Sequence, residues 1–93
     1  MDKGQPAAPV LEDVQRTIRK FIVENYLFGA DSPDLLPATS FLESGVIDST
    51  GILELIQFVE ATFGVHVADT EMLPENLDSL DNIGRFVTRK MSS

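Results

Sequence analysis

Three stretches of this chain carry apolar residues at three- and four-residue intervals, the spacing that builds one buried face on an amphipathic helix. In the first, Val10, Leu11, Val14, Ile18, Phe21 and Ile22 fall on one side of a helix from about Val10 to Phe28, which Gly29 ends. Its other face is charged, with Glu12, Asp13, Arg16, Arg19, Lys20 and Glu24, and Glu12 with Arg16 are helical neighbours. In the second, Ile52, Leu55, Ile56, Val59 and Phe63 predict a helix from Ser49 to about Phe63, capped by Asp48 or Ser49 and closed by Gly64. In the third, Leu80, Ile83, Val87 and Met91 form the inward stripe of a last helix, with Phe86 beside it and Asp78 as its cap. Arg85, Arg89 and Lys90 lie toward its C-terminal end, where cations oppose the helix dipole.

The remaining segments connect these helices. Ala30 to Ile47 contains Pro33 and Pro37, and a connection of that length must be packed down in a small bundle. Leu35, Leu36, Phe41, Leu42, Val46 and Ile47 supply the anchors. Asp69 to Leu73 is short and bounded by Pro74, so it predicts one or two helical turns. Val65-His66-Val67 is too short to stand as a strand. Residues 1–9 are small, polar and interrupted by proline, and read as a disordered tail before a single domain over 10–91. The fold expected is all-α: a small antiparallel bundle of three longer helices and one short one, with a long ordered first loop laid across it.

Charge narrows the choice of partners. The 93 residues carry a formal net charge of -8, and their cations are confined to Lys3, Arg16, Arg19, Lys20, Arg85, Arg89 and Lys90. Everything from Phe21 to Gly84 lacks one, which disfavours nucleic acid and anionic membrane surfaces and favours basic partners. There is no run apolar enough to span a bilayer and no signal-peptide core at the N-terminus, so a cytoplasmic monomer is expected.

With no cysteine, the chain has no disulfide, no thiolate metal site and no thiol nucleophile of its own. His66 is the only histidine and falls in a turn, without a serine and acid arranged around it. Asp31, Asp34 and Glu43 lack the alternating oxygen ligands of a helix-loop-helix calcium site, so no metal is expected.

The chemistry converges on Thr39-Ser40-Phe41-Leu42-Glu43-Ser44-Gly45-Val46-Ile47-Asp48-Ser49 and the acidic helix that follows. At these residues the chain resembles the acyl and peptidyl carrier proteins, whose signature is a glycine followed shortly by Asp-Ser and then an acidic amphipathic helix. The resemblance implies that Ser49 is esterified with 4'-phosphopantetheine, taken from coenzyme A by a phosphopantetheinyl transferase. It further implies that the protein is a carrier and substrate of partner enzymes rather than an enzyme. Carried over position by position, the docking face is Asp48, Thr50, Leu53, Glu54, Gln57 and Glu60. Leu53 would be an apolar contact ringed by carboxylates.

Two positions depart from the family pattern, Thr50 and Gln57, where apolar residues are frequent. Gly51 is a further oddity in a helical first turn. Ser-Thr-Gly looks more like stand-alone carriers of the D-alanyl type, loaded by an adenylate-forming ligase and unloaded by a downstream acyltransferase or synthase. Fatty-acid or polyketide synthesis is the alternative within the family. Outside it, the competing class is an unmodified acidic helical adaptor that binds a basic partner.

Overall fold

A computed structural model describes residues 11–27, 29 and 35–92. The disordered tail expected at residues 1–9, together with Val10, Phe28, Asp31 and Asp34, falls outside them. Helix α1 spans Leu11–Tyr26 and buries Val14, Ile18 and Ile22 at four-residue spacing, whereas Leu11 is exposed and Phe21 half-buried. Past its end Gly29 adopts a positive φ of 82° and donates its N–H to the Val23 carbonyl at 2.8 Å. On the charged face Arg16 pairs with Asp13 at 2.8 Å, three residues back, rather than with Glu12.

The described part of the first connection is packed down through Leu35, Phe41 and Ile47, all buried, while Leu36 and Leu42 stay exposed. Within it lies a helix that the apolar pattern did not predict, α2 over Phe41–Ser44. Ser40 caps it, its hydroxyl oxygen accepting the Glu43 N–H at 3.1 Å, and Gly45 at φ 80° closes it. A single turn has too few positions to show a 3.6-residue period, so only its caps could have revealed it.

Helix α3 covers Ser49–Phe63 and buries Gly51, Leu55, Ile56 and Val59, with Ile52 and Phe63 at the edge of the core. The short element expected at Asp69 to Leu73 is a 3-10 turn over Asp69–Glu71. Pro74 does not bound it but opens the one-turn helix α4, Pro74–Leu77. Proline suits that first position because its missing N–H would have had no partner in the helix.

Helix α5 runs Leu80–Met91, and Ser79 rather than Asp78 caps it, its hydroxyl oxygen accepting the Asn82 N–H at 3.0 Å. Asp78 is already engaged by the first connection. Its carboxylate accepts from the Ser40 hydroxyl and from the Leu42 N–H at 3.0 Å, and its carbonyl accepts from the Phe41 N–H at 2.8 Å. The inward stripe of α5 is Leu80, Ile83, Gly84, Phe86 and Val87, with Met91 left exposed.

The result is an all-helical bundle of three long helices and short ones, with no strand among the described residues. Helix α1 packs chiefly on α5, and α5 also holds α4 and α3. The core runs through all of them, from Val14, Ile18 and Ile22 to Leu55, Val59, Val67, Ile83 and Phe86. Among the described residues no helix is long and apolar enough to cross a membrane.

Candidate functional site

Gly45 turns the chain out of α2, and buried Ile47 anchors the two residues that follow it. Asp48 is extended, at φ -92° and ψ -177°, and its Oδ1 accepts the Gly51 N–H at 2.8 Å. Of the two expected caps, Asp48 is the one used. Ser49 is therefore the first helical residue of α3, exposed, with no hydrogen bond from its hydroxyl to another described residue.

Position around α3 sorts the predicted docking residues. At about 100° per residue, Glu60 and Leu53 lie about 20° and 40° from Ser49, Gln57 and Thr50 about 80° and 100°, and Glu54 about 140°. The six are thus not one patch centred on the serine. Leu53 is 54% exposed, and Thr50 and Gln57 are also exposed.

All three carboxylates of the set have donors within the chain. Asp48 holds its own helix cap. Glu54 accepts from the Tyr26 hydroxyl at the end of α1. Glu60 is half-buried, accepts the Val67 N–H at 2.9 Å and stands 3.5 Å from His66 Nδ1. Their charge still reaches solvent, but their geometry is set by the fold.

The side of α3 that carries Ser49 and Leu53 borders a mostly apolar groove of about 210 Å³. Ile52, Leu53 and Ile56 form one wall, Leu42 of α2 another, and Met72, Leu73 and Leu77 the third. Leu42, Leu53, Met72 and Leu73 are each at least a third exposed along its rim. The groove was not predicted, although a signal existed: these apolar residues fit none of the inward stripes.

Two ionisable groups around this region are displaced. Tyr26 is pushed up to about 12, first by burial and then by its bond to Glu54 and the charges of Glu54 and Asp48. Glu71, in the turn beside Met72, is held below the usual carboxylate range by its bond to Lys90 at 2.8 Å and by the Ala68 N–H at 3.0 Å.

Chemistry elsewhere is sparse. A cleft of about 330 Å³ is bordered by Ser40, Glu75, Asp78, Asp81, Asn82 and Arg85, and another of about 400 Å³ by Phe63, His66 and Lys90. The His66 side chain is 86% exposed, and the acid beside it is the loop-bound Glu60. Among the described residues no group of three or more histidines and acids could hold a metal ion. The arrangement offers a surface hydroxyl, an apolar groove that begins one helical turn further along α3, and a negative surround. Compared with the models of known protein families, the chain matches none.

Proposed function

We propose that this protein is an acyl or aminoacyl carrier whose cargo rides as a thioester on 4'-phosphopantetheine attached to Ser49. One conjunction carries the reading: a run resembling the carrier signature ends at Ser49, and that residue is exposed one helical turn before Ile52 and Leu53, which line an apolar groove. The residues fit the group. Asp48 is occupied as a cap, the serine side chain faces solvent, and a phosphodiester there would meet the positive end of a 15-residue helix.

When attached, the group supplies the thiol that a chain without cysteine lacks. In the transfer, the Ser49 oxygen would form the new bond to the phosphorus that bears the pantetheine arm, the pyrophosphate P–O bond of coenzyme A would break with 3',5'-ADP leaving on that electron pair, and the Ser49 proton would pass to a base on the transferase. The other residues recognise and orient: Leu53 with Thr50 and Gln57 would meet a partner directly, and the carboxylates of Asp48 and Glu60 would attract its basic rim. The partners are the transferase, an adenylate-forming ligase and a downstream acyltransferase or synthase. A tethered cargo passes between them in the cytoplasm at high effective concentration.

Two cargo classes compete. Ser49-Thr50-Gly51 favours an amino acid, as in D-alanyl carriers, whereas the groove favours a small apolar acyl group of fatty-acid or polyketide type.

The test is to incubate the protein with a phosphopantetheinyl transferase and coenzyme A, then measure intact mass and thiol titre. A carrier gains the prosthetic-group mass and one thiol, and Ser49→Ala gains neither. An unmodified adaptor keeps its original mass. Loading the modified protein with alanyl and with short acyl groups, and comparing protection of methyl groups on Ile52 and Leu73, separates the two cargo classes.

A further inference from the structure

We infer that Tyr26 is a positioning residue for the Ser49 end of α3, fastening it to α1 through Glu54, and that Glu54 serves this tie rather than a partner's cation. The consequence for modification rests on the carrier reading of Ser49; the tie itself does not.

Backbone packing alone does not hold α3 against α1, because α1 lies chiefly on α5. Side chains make the junction instead. The ring of Phe21 stacks on Phe58 with centroids 4.2 Å apart, and Tyr26 meets Phe21 edge-on at 6.1 Å. One turn further along, the Tyr26 hydroxyl donates to Glu54 and lies 3.4 Å from the Gly51 carbonyl.

Gly51 is shaped to this contact. A Cβ there would stand 3.1 Å from Cε1 and 3.2 Å from the hydroxyl oxygen of Tyr26, so the ring lies directly over the first turn. That turn is the one that begins with Ser49. Burial and the two nearby carboxylates keep the hydroxyl protonated at neutral pH, and it remains a donor. Glu54 meanwhile sits about 140° around the helix from Ser49, away from the groove side. A carboxylate bonded to α1 on the far flank is badly placed to greet a protein that has come for the serine.

The experiment uses the full chain with Tyr26→Phe, Glu54→Ala and Glu54→Gln, and the double variant Tyr26→Phe with Glu54→Ala. The readouts are kcat and KM for Ser49 modification by the transferase, and hydrogen exchange at the Gly51 and Ile52 amides. Tyr26→Phe and Glu54→Ala should each raise KM about threefold, the cost of ordering a turn that is no longer held, with kcat unchanged. Both should speed exchange at the two amides, and the double variant should match either single one. Glu54→Gln keeps an acceptor for the hydroxyl and should stay near wild type. If Glu54→Gln loses as much as Glu54→Ala while Tyr26→Phe loses nothing, Glu54 meets the partner directly and the inference fails. Additive effects, or unchanged KM and exchange throughout, overturn it as well. Should the wild type never be modified, the carrier reading falls, and amide exchange in Tyr26→Phe still decides whether the tie exists.

Discussion

Replacing Gly51 by alanine sets helix propensity against packing. In an open helical first turn the change should stabilise by about 1 kcal/mol, because glycine loses more backbone freedom on folding. Here the new Cβ would stand 2.5 Å from Cγ2 of Ile47 and 3.1 Å from the Tyr26 ring. Ile47 is 1% exposed, and a methyl carried on a β-branched carbon moves only with its rotamer or its backbone. Overpacking of this kind costs about 1–3 kcal/mol, so Gly51→Ala should be net destabilising by about 1 kcal/mol.

For a chain of this size that corresponds to a fall in Tm of about 4–8 °C, measurable by circular dichroism. Ile47→Leu moves the branch point outward and deletes the clashing methyl. The pair Ile47→Leu with Gly51→Ala should therefore lose less than the two singles combined. Gly84→Ala is the internal comparison: its Cβ meets Gln15 Cγ at 2.6 Å, but that unbranched side chain can swing out, giving up long bonds of 3.2 and 3.3 Å. It should stay within about 1 kcal/mol of wild type, since the propensity gain offsets the lost contacts. A Gly51→Ala protein as stable as wild type, or more so, would refute the close fit of Ile47 and Tyr26 around this turn.

Asp78→Ala removes the acceptor for the Ser40 hydroxyl and the Leu42 N–H; we expect a loss of about 1–3 kcal/mol, read as a lower urea midpoint. Glu60→Lys leaves the Val67 N–H without its carboxylate and should cost a similar amount, about 1–3 kcal/mol, with hydrogen exchange at Val67 accelerated while the helicity of α3 persists. Because the folded-state pKa of Glu71 is lowered, its contribution is present above the ordinary carboxylate range and is lost as pH falls through the depressed value. The Tm gap between wild type and Glu71→Gln should accordingly close on acidification, and a gap constant with pH would count against the Lys90 pairing.

How much of this was legible in the sequence depends on how many residues carried each signal. The three long helices were readable because each repeats its apolar spacing over several turns, and α3 starts and stops where its caps predict. Single-turn elements gave no period, so α2 and α4 went unpredicted. The cap of α5 moved from Asp78 to Ser79 because both residues can cap a helix, and only the folded chain shows Asp78 taken by a segment nearly forty residues away. Phe86 and Met91 exchanged roles for a related reason: a wheel gives direction, but not where the last turn outruns the core.

At the candidate site, the exposed position of Ser49 follows from its place in the first turn, and the structure bears out a helix start there. The internal bonds of Glu54 and Glu60 could not be read from sequence, since Tyr26 and Val67 reach them only through the tertiary fold. The groove was hidden in the same way. Leu42, Leu53 and Leu73 are scattered along the chain, and single exposed leucines are ordinary until folding sets them side by side.

The central claim is that the Ser49 oxygen accepts a phosphopantetheine arm, and intact-mass analysis after incubation with transferase and coenzyme A addresses it most directly. The account predicts a single added prosthetic group and one new thiol per chain, both absent from Ser49→Ala. Wild-type protein that keeps its original mass beside a control carrier that is fully converted would contradict it.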